Sequence, residues 1–242
     1  ILHIRLLLLI LSRLCVMNNI LELKSISKIY EQGPAKIEII KNVNLSVKPA
    51  ELVAIVGSSG SGKSTLLHIA GLLDRNYTGE VLVGGVCASK SSAGHQNALR
   101  LNKIGFIYQY HHLLKDFNAR ENVAMPRLIA GLDYQAALKD ADELLTQLGL
   151  QDRLMNFPGQ LSGGEQQRVA IARSMINNPD IIFADEPTGN LDHLASDKVI
   201  ELFLSLAKRR GLAAVIVTHN HEIAKKMNRM FELKDGVLQG MT

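Results

Sequence analysis

Residues 51–65 read ELVAIVGSSGSGKST: a nearly continuous apolar run, then a glycine- and serine-rich turn ending in Lys63, Ser64 and Thr65. A short apolar run bounded by turn residues suits a strand buried on both faces, the kind found in parallel sheets. The glycines let the backbone wrap close to an anion with no Cβ in the way. Successive N–H groups and the N-terminus of a following helix, expected from about Lys63 to Leu72, then point at it. Gly57, Ser58, Ser59, Gly60, Ser61, Gly62, Lys63, Ser64 and Thr65 are therefore the candidate phosphate-binding loop. Lys63 adds a point charge for the outer phosphates of a nucleotide, and the Ser64 hydroxyl is a candidate Mg²⁺ ligand. A flexible glycine-serine linker would have no core strand before it and no helix after it.

Outward from this loop, the pattern alternates strands and helices. Residues 20–23 and 37–47 alternate apolar and polar side chains, as half-buried strands do. GEVLVGG (79–85) reads as a short strand with glycine turns, and IGFIYQ (104–109) as another strand. Residues 119–150 read as helix with breaks at GLD and GLQ, and residues 162–177 as a further helix. DIIFADE (180–186) and LAAVIVTH (212–219) are buried strands, with a helix near 192–210 between them. FELKDGVLQG (231–240) is a hairpin turning at Asp235-Gly236. Strands alternating with helices predict an α/β core with a parallel sheet. The helical stretch at 119–160 predicts a helical subdomain inserted in that core.

Two more segments carry chemistry. The strand 180–186 ends in Asp185 and Glu186, and strand C-termini border the ligand crevice of such sheets. Asp185 can hold the Mg²⁺ shell, and Glu186, one residue on, can polarise an attacking water. LSGGEQQ (161–167) starts a helix with Ser162, Gly163 and Gly164, a second anion-binding helix N-terminus. One triphosphate does not need two such devices from one chain, so this loop is expected to close on a nucleotide held by a second copy.

LSGGEQQ, preceded by the phosphate loop and followed by FADEPTGNLD, resembles the nucleotide-binding subunits of ATP-binding-cassette transporters over about residues 20–240. The resemblance implies an α/β phosphate-loop NTPase core, an antiparallel β subdomain and a helical subdomain at about 110–165, all within one nucleotide-binding domain at 17–242. It implies that Tyr30 stacks on adenine, that Gln109 touches Mg²⁺ and water, and that His219 contacts the γ-phosphate. It implies that Gly189-Asn190-Leu191-Asp192 links the two sites of a dimer. The cofactors implied are ATP and Mg²⁺; the partners are a second copy and integral-membrane permease subunits. Asn220 stands where the family usually has Asp, a change that still allows helix capping. YQYHHLLKDF (108–117) and ENVAMP (121–126) further resemble the ATPases of lipoprotein-releasing systems, on the cytoplasmic face of the bacterial inner membrane. Cell-division and macrolide-exporter ATPases are the alternatives. His111 and His112, adjacent on a stretch read as extended, would point to opposite faces and so suit partner contact rather than one metal.

Composition limits the rest. The chain has 242 residues, 47% hydrophobic and 21% charged, enough for a sizeable core and unlike a disordered chain. A net charge of +4 is too weak to argue for nucleic acid. The segment between the phosphate loop and LSGGEQQ has no heptads and no CxxC, which sets aside chromosome-structure and DNA-repair ATPases with their long insertions. Cys15 and Cys87 form no framework and suit a reducing compartment. The opening ILHIRLLLLILSRLCV is too short to span a bilayer, which needs roughly 20 apolar residues. Residues 1–16 are expected to be an extension, with the domain opening at Met17. With no other candidate span in the sequence, another chain is expected to provide the membrane part.

Overall fold

The computed structural model describes residues 19–33 and 35–241. The expectation for residues 1–16 lies outside them. In chain order, β1 (Leu21–Gln32) and β2 (Ala35–Val47) precede β3 (Leu52–Val56) and α1 (Lys63–Ala70). Then come β4 (Thr78–Val83), β5 (Val86–Cys87), α2 (Ala93–Lys103) and β6 (Ile104–Ile107). Helices α3 (Ala119–Ile129), α4 (Tyr134–Gln147) and α5 (Gly163–Met175) follow before β7 (Ile181–Asp185). The chain ends with α6 (His193–Arg210), β8 (Ala213–Val217), α7 (His221–Ala224), β9 (Arg229–Lys234) and β10 (Val237–Met241).

Among the described residues the strands form two sheets. One has the order β10-β9-β3-β8-β7-β6 and is parallel from β9 to β6, with β10 returning antiparallel. The β9–β10 hairpin turns at Asp235 and Gly236, both at positive φ, as its Asp-Gly pair predicts. The other sheet, β2-β1-β4-β5, is antiparallel. This is the α/β phosphate-loop NTPase fold that the sequence predicts.

Strands β3, β7 and β8 are buried on both faces, and side-chain alternation divides β7 and β8 between two cores. Ile181, Phe183, Ala213, Val215 and Val217 face α1 and the antiparallel sheet, packing with Leu66, Leu67, Leu21 and Val81. Ile182, Ala184, Ala214 and Ile216 face the helices, packing with Val123, Leu145, Val169 and Phe203. The fit leaves no spare room: a Cβ added at Gly105 would stand 2.2 Å from the Ser174 carbonyl on α5.

Residues 119–150 form two helices that break at GLD (131–133), as the sequence reading has it, with Asp133 capping α4 through the N–H groups of Gln135 and Ala136. The structure departs from the sequence reading elsewhere. The strands read as 104–109 and 212–219 stop at Ile107 and Val217, freeing Gln109 and His219 from the sheet. Helix α2 was not expected from the sequence. His112 is not extended: its φ is 48°, and its ring meets Tyr108 edge-on at 5.1 Å. The opposite-faces argument for His111 and His112 therefore does not hold at this bend.

Candidate functional site

The C-terminal ends of β3, β7 and β8 meet where a parallel sheet builds its ligand crevice. Gly57 closes the phosphate loop against the β9 backbone; a Cβ there would lie 2.5 Å from the Leu233 carbonyl oxygen. Gly62 precedes α1 in the left-handed region, at φ 96°, and a Cβ there would meet Ile39 at 2.8 Å. Lys63 is buried, and its ammonium donates to the carbonyls of Gly57 and Ser58, each at 2.9 Å. The cation is thus held against the backbone of the loop, at Gly57 and Ser58.

The acid pair sits beside this loop. The Ser64 hydroxyl donates to Asp185 Oδ1 at 3.1 Å. Burial pushes the Asp185 carboxyl above its ordinary range, and the Ser64 hydrogen bond pulls it back. Two hard oxygen donors, one of them a desolvated carboxylate, are what a Mg²⁺ ion prefers, so these residues fit that metal. Glu186 adopts φ 44° and donates its N–H to the Val217 carbonyl at 2.9 Å. That turn brings its carboxylate Oε1 to 2.9 Å from His219 Nδ1. Gln109 is clasped to Asn190: its Nε2 donates to Asn190 Oδ1 at 3.3 Å, and Asn190 Nδ2 donates to the Gln109 carbonyl at 2.9 Å.

Tyr30, Ser59, Gly60, Gly62, Lys63, Ser64, Thr65, Gln109, Asp185, Glu186 and His219 line one cleft of about 640 Å³. Ser58 and Ser61 line an adjoining hollow together with Ser59 and Gly60. Ile39 also lines the main cleft, and sequence reasoning missed it. It reads as one more apolar strand position, and nothing in its spacing marks it out.

Ser162, Gly163 and Gly164 are not in this cleft. Ser162 caps α5 in a reciprocal box: its hydroxyl accepts from Glu165 N–H at 3.3 Å, and the Glu165 carboxylate accepts from Ser162 N–H at 2.8 Å. That N–H holds the Glu165 carboxyl below its ordinary range, helped by the Ser162 hydroxyl and Arg153. Gly163 lies against Leu191, so the two loops expected to serve a dimer are neighbours in one chain.

The segment after Gln109 is tied down through its backbone. Arg173 of α5 donates to the carbonyls of His111 and His112, each at 2.7 Å. Burial lowers the Arg173 guanidinium from its ordinary pKa and moves the half-buried His111 imidazole the same way. Asn122 of α3 is fully buried; its Oδ1 accepts from Leu114 N–H at 2.8 Å. Its Nδ2 donates to the carbonyls of Leu114, Phe117 and Asn118 at 3.0, 2.8 and 3.0 Å. Tyr110, Leu114 and Phe117 are left pointing outward, 66%, 44% and 38% exposed. Among the described residues no helix is long and apolar enough to cross a membrane.

Residues 40–189 match the family described as ABC transporter. The chain is 56% identical, over 221 residues, to the lipoprotein-releasing system ATP-binding protein LolD of Rickettsia felis, covering 91% of this chain and 98% of that protein. It is 55% identical over 221 residues to the LolD protein of Rickettsia typhi, with the same coverage. Among solved structures, a dimeric ATP-binding cassette in a post-hydrolysis state, bound to ADP and Pi, superposes with a TM-score of 0.84. It is 39% identical, and the match covers 92% of this chain and 98% of that one. A family match over more than half the sequence, with close relatives along nearly all of it, makes this chain a member of the ABC transporter family.

Proposed function

We propose that this chain is the ATP-hydrolysing subunit of a complex that powers release of lipoproteins from the bacterial inner membrane. The observation that carries the reading is the convergence of Lys63, Ser64–Asp185 and Glu186–His219 in one cleft, with Ser162–Gly164 outside it. A site with its anion loop, metal ligands and base assembled, yet with a second anion-binding helix N-terminus facing elsewhere, is half of a shared site. Two copies then sandwich two nucleotides, each held by one chain's phosphate loop and the other's Ser162–Gly164. The single nucleotide-binding domain spans 17–242, with its helical subdomain at about 110–165. The 56% identity to a LolD protein supports the substrate assignment over cell-division and macrolide-exporter readings.

In this mechanism Tyr30 stacks on adenine and the loop N–H groups hold the phosphates. Lys63 and His219 stabilise charge developing on the γ-phosphate. Ser64, Asp185 and Gln109 would hold Mg²⁺, which would supply neutralisation of charge on the phosphate oxygens. Glu186 accepts the proton of the attacking water, and His219, bonded to it, fixes its orientation. Gln109 opens directly into the segment 108–126, whose exposed Tyr110, Leu114 and Phe117 form the docking face for a short cytoplasmic helix of a membrane subunit. The chain therefore works at the cytoplasmic face of the inner membrane as a peripheral subunit. The test is affinity purification of the tagged chain from membranes, with mass spectrometry of what accompanies it, followed by release of a lipidated protein from proteoliposomes. Copurification of lipoprotein-release permeases and ATP-dependent release are expected; permeases of a division or exporter system in their place would overturn the substrate assignment.

A further inference from the structure

Lys28 is a lysine buried to 3% exposure on β1, outside the phosphate loop and the acid pair. Burying an ammonium is costly unless it is paired, and here Asp74 pairs it at 2.7 Å through Oδ2 and 3.0 Å through Oδ1. Asp74 lies just past α1, the helix that Lys63 begins, and is fixed in turn by Asn76 N–H at 2.8 Å. The Lys28 Nζ lies 4.8 Å from the centroid of the Tyr30 ring. The contact forms where the β1–β2 ladder shifts register between Lys28 and Ile29. Tyr30, 45% exposed, lines two hollows: the nucleotide cleft, which Lys28 does not line, and a second one that both residues line.

We propose that Lys28 and Asp74 are a positioning pair for nucleobase recognition, holding the Tyr30 ring from behind and polarising it for stacking. This rests on the reading of Tyr30 as the base-stacking residue. A cation over an aromatic face draws the ring's π density towards itself. It restrains the ring on that side and leaves the cleft-facing side electron-poor, which favours an electron-rich purine. Asp74 makes the arrangement affordable and links it to α1, so ring and phosphate loop keep a fixed separation, the one a nucleoside triphosphate must span.

The experiment measures binding of MgATP and of magnesium tripolyphosphate, which has no base, to the isolated chain. Lys28→Met removes the charge; Lys28→Met with Asp74→Asn removes it without leaving a carboxylate unpaired. Both are expected to weaken MgATP binding by about 3- to 10-fold, the range of a partly desolvated cation–π contact, and to leave tripolyphosphate binding unchanged. Lys28→Arg, which keeps the charge, is expected to retain the wild-type preference. In a Tyr30→Ala background, Lys28→Met is expected to have no further effect. A double variant that binds MgATP like wild type, or that loses both ligands equally, overturns the proposal while a base-blind Tyr30→Ala chain keeps the stacking reading intact. A Tyr30→Ala chain with unaltered preference for MgATP overturns both.

Discussion

Replacing Asn122 by Ala removes one side chain and four hydrogen bonds. Asn118 O keeps the helical bond from the Asn122 N–H and Leu114 O keeps one from the Phe117 N–H, so the groups that lose their partner are Leu114 N–H and Phe117 O. Each polar group left unpaired in a buried setting costs about 1–3 kcal/mol. The segment borders solvent at Leu114 and Phe117, so water recovers part of this, and the expected net loss is about 2–4 kcal/mol. For a chain of this size each kcal/mol lowers Tm by roughly 2–4 °C, so Tm should fall by roughly 4–16 °C. The measurement is calorimetric melting of the isolated chain, with Asn122→Asp as a companion that keeps the acceptor for Leu114 N–H and loses the donors. MgATP affinity should stay within about twofold, since Asn122 lies outside the cleft, while docking to membrane subunits should weaken as the 110–118 backbone loosens. A Tm within about 1 °C of wild type, or unaltered docking in a clearly destabilised chain, would refute the view that Asn122 shapes this face.

Other substitutions separate chemistry, docking and packing. Glu186→Gln keeps size and hydrogen bonding but removes the base, so hydrolysis should fall about 10²–10⁴-fold, with ATP still bound and the dimer persisting, as read by phosphate release and gel filtration in MgATP. Leu114→Ala or Phe117→Ala should reduce copurification of membrane subunits and leave nucleotide affinity of the isolated chain unchanged in a titration. Gly105→Ala puts a Cβ 2.2 Å from the Ser174 carbonyl and should destabilise by about 1–3 kcal/mol in a urea melt, through overpacking alone.

Some parts of this protein are local enough to be read from the sequence, and others are not. The phosphate loop, the buried strands and the Asp235-Gly236 hairpin are each set by residue types within a few positions, so their patterns survive without the fold. Helix α2 was missed because AGHQNALRLNK is mostly polar, with Gln96 as its buried residue; its one local signal is the Ser92 cap, which accepts from His95 N–H at 3.3 Å. Gln109 and His219 were placed on strand ends because the apolar runs continue into them, whereas the ladders stop two residues earlier. The roles of Lys28, Ile39 and Arg173 depend on groups brought together by folding: Lys28 and Asp74 lie 46 positions apart, and Arg173 and His111 lie 62 apart. No spacing rule within one segment could have found those.

Glu186 holds a left-handed backbone at φ 44°, a conformation that costs an L residue with a Cβ about 1–2 kcal/mol and costs glycine almost nothing. Folding alone would therefore prefer glycine at this position. A Glu186→Gly chain should melt higher than wild type even as it loses turnover. Screens for thermal robustness that ignore activity would drift towards that residue, and screens for turnover would restore the glutamate. The bend that aims the carboxylate at His219 is a place where the demands of folding and of reaction select different amino acids.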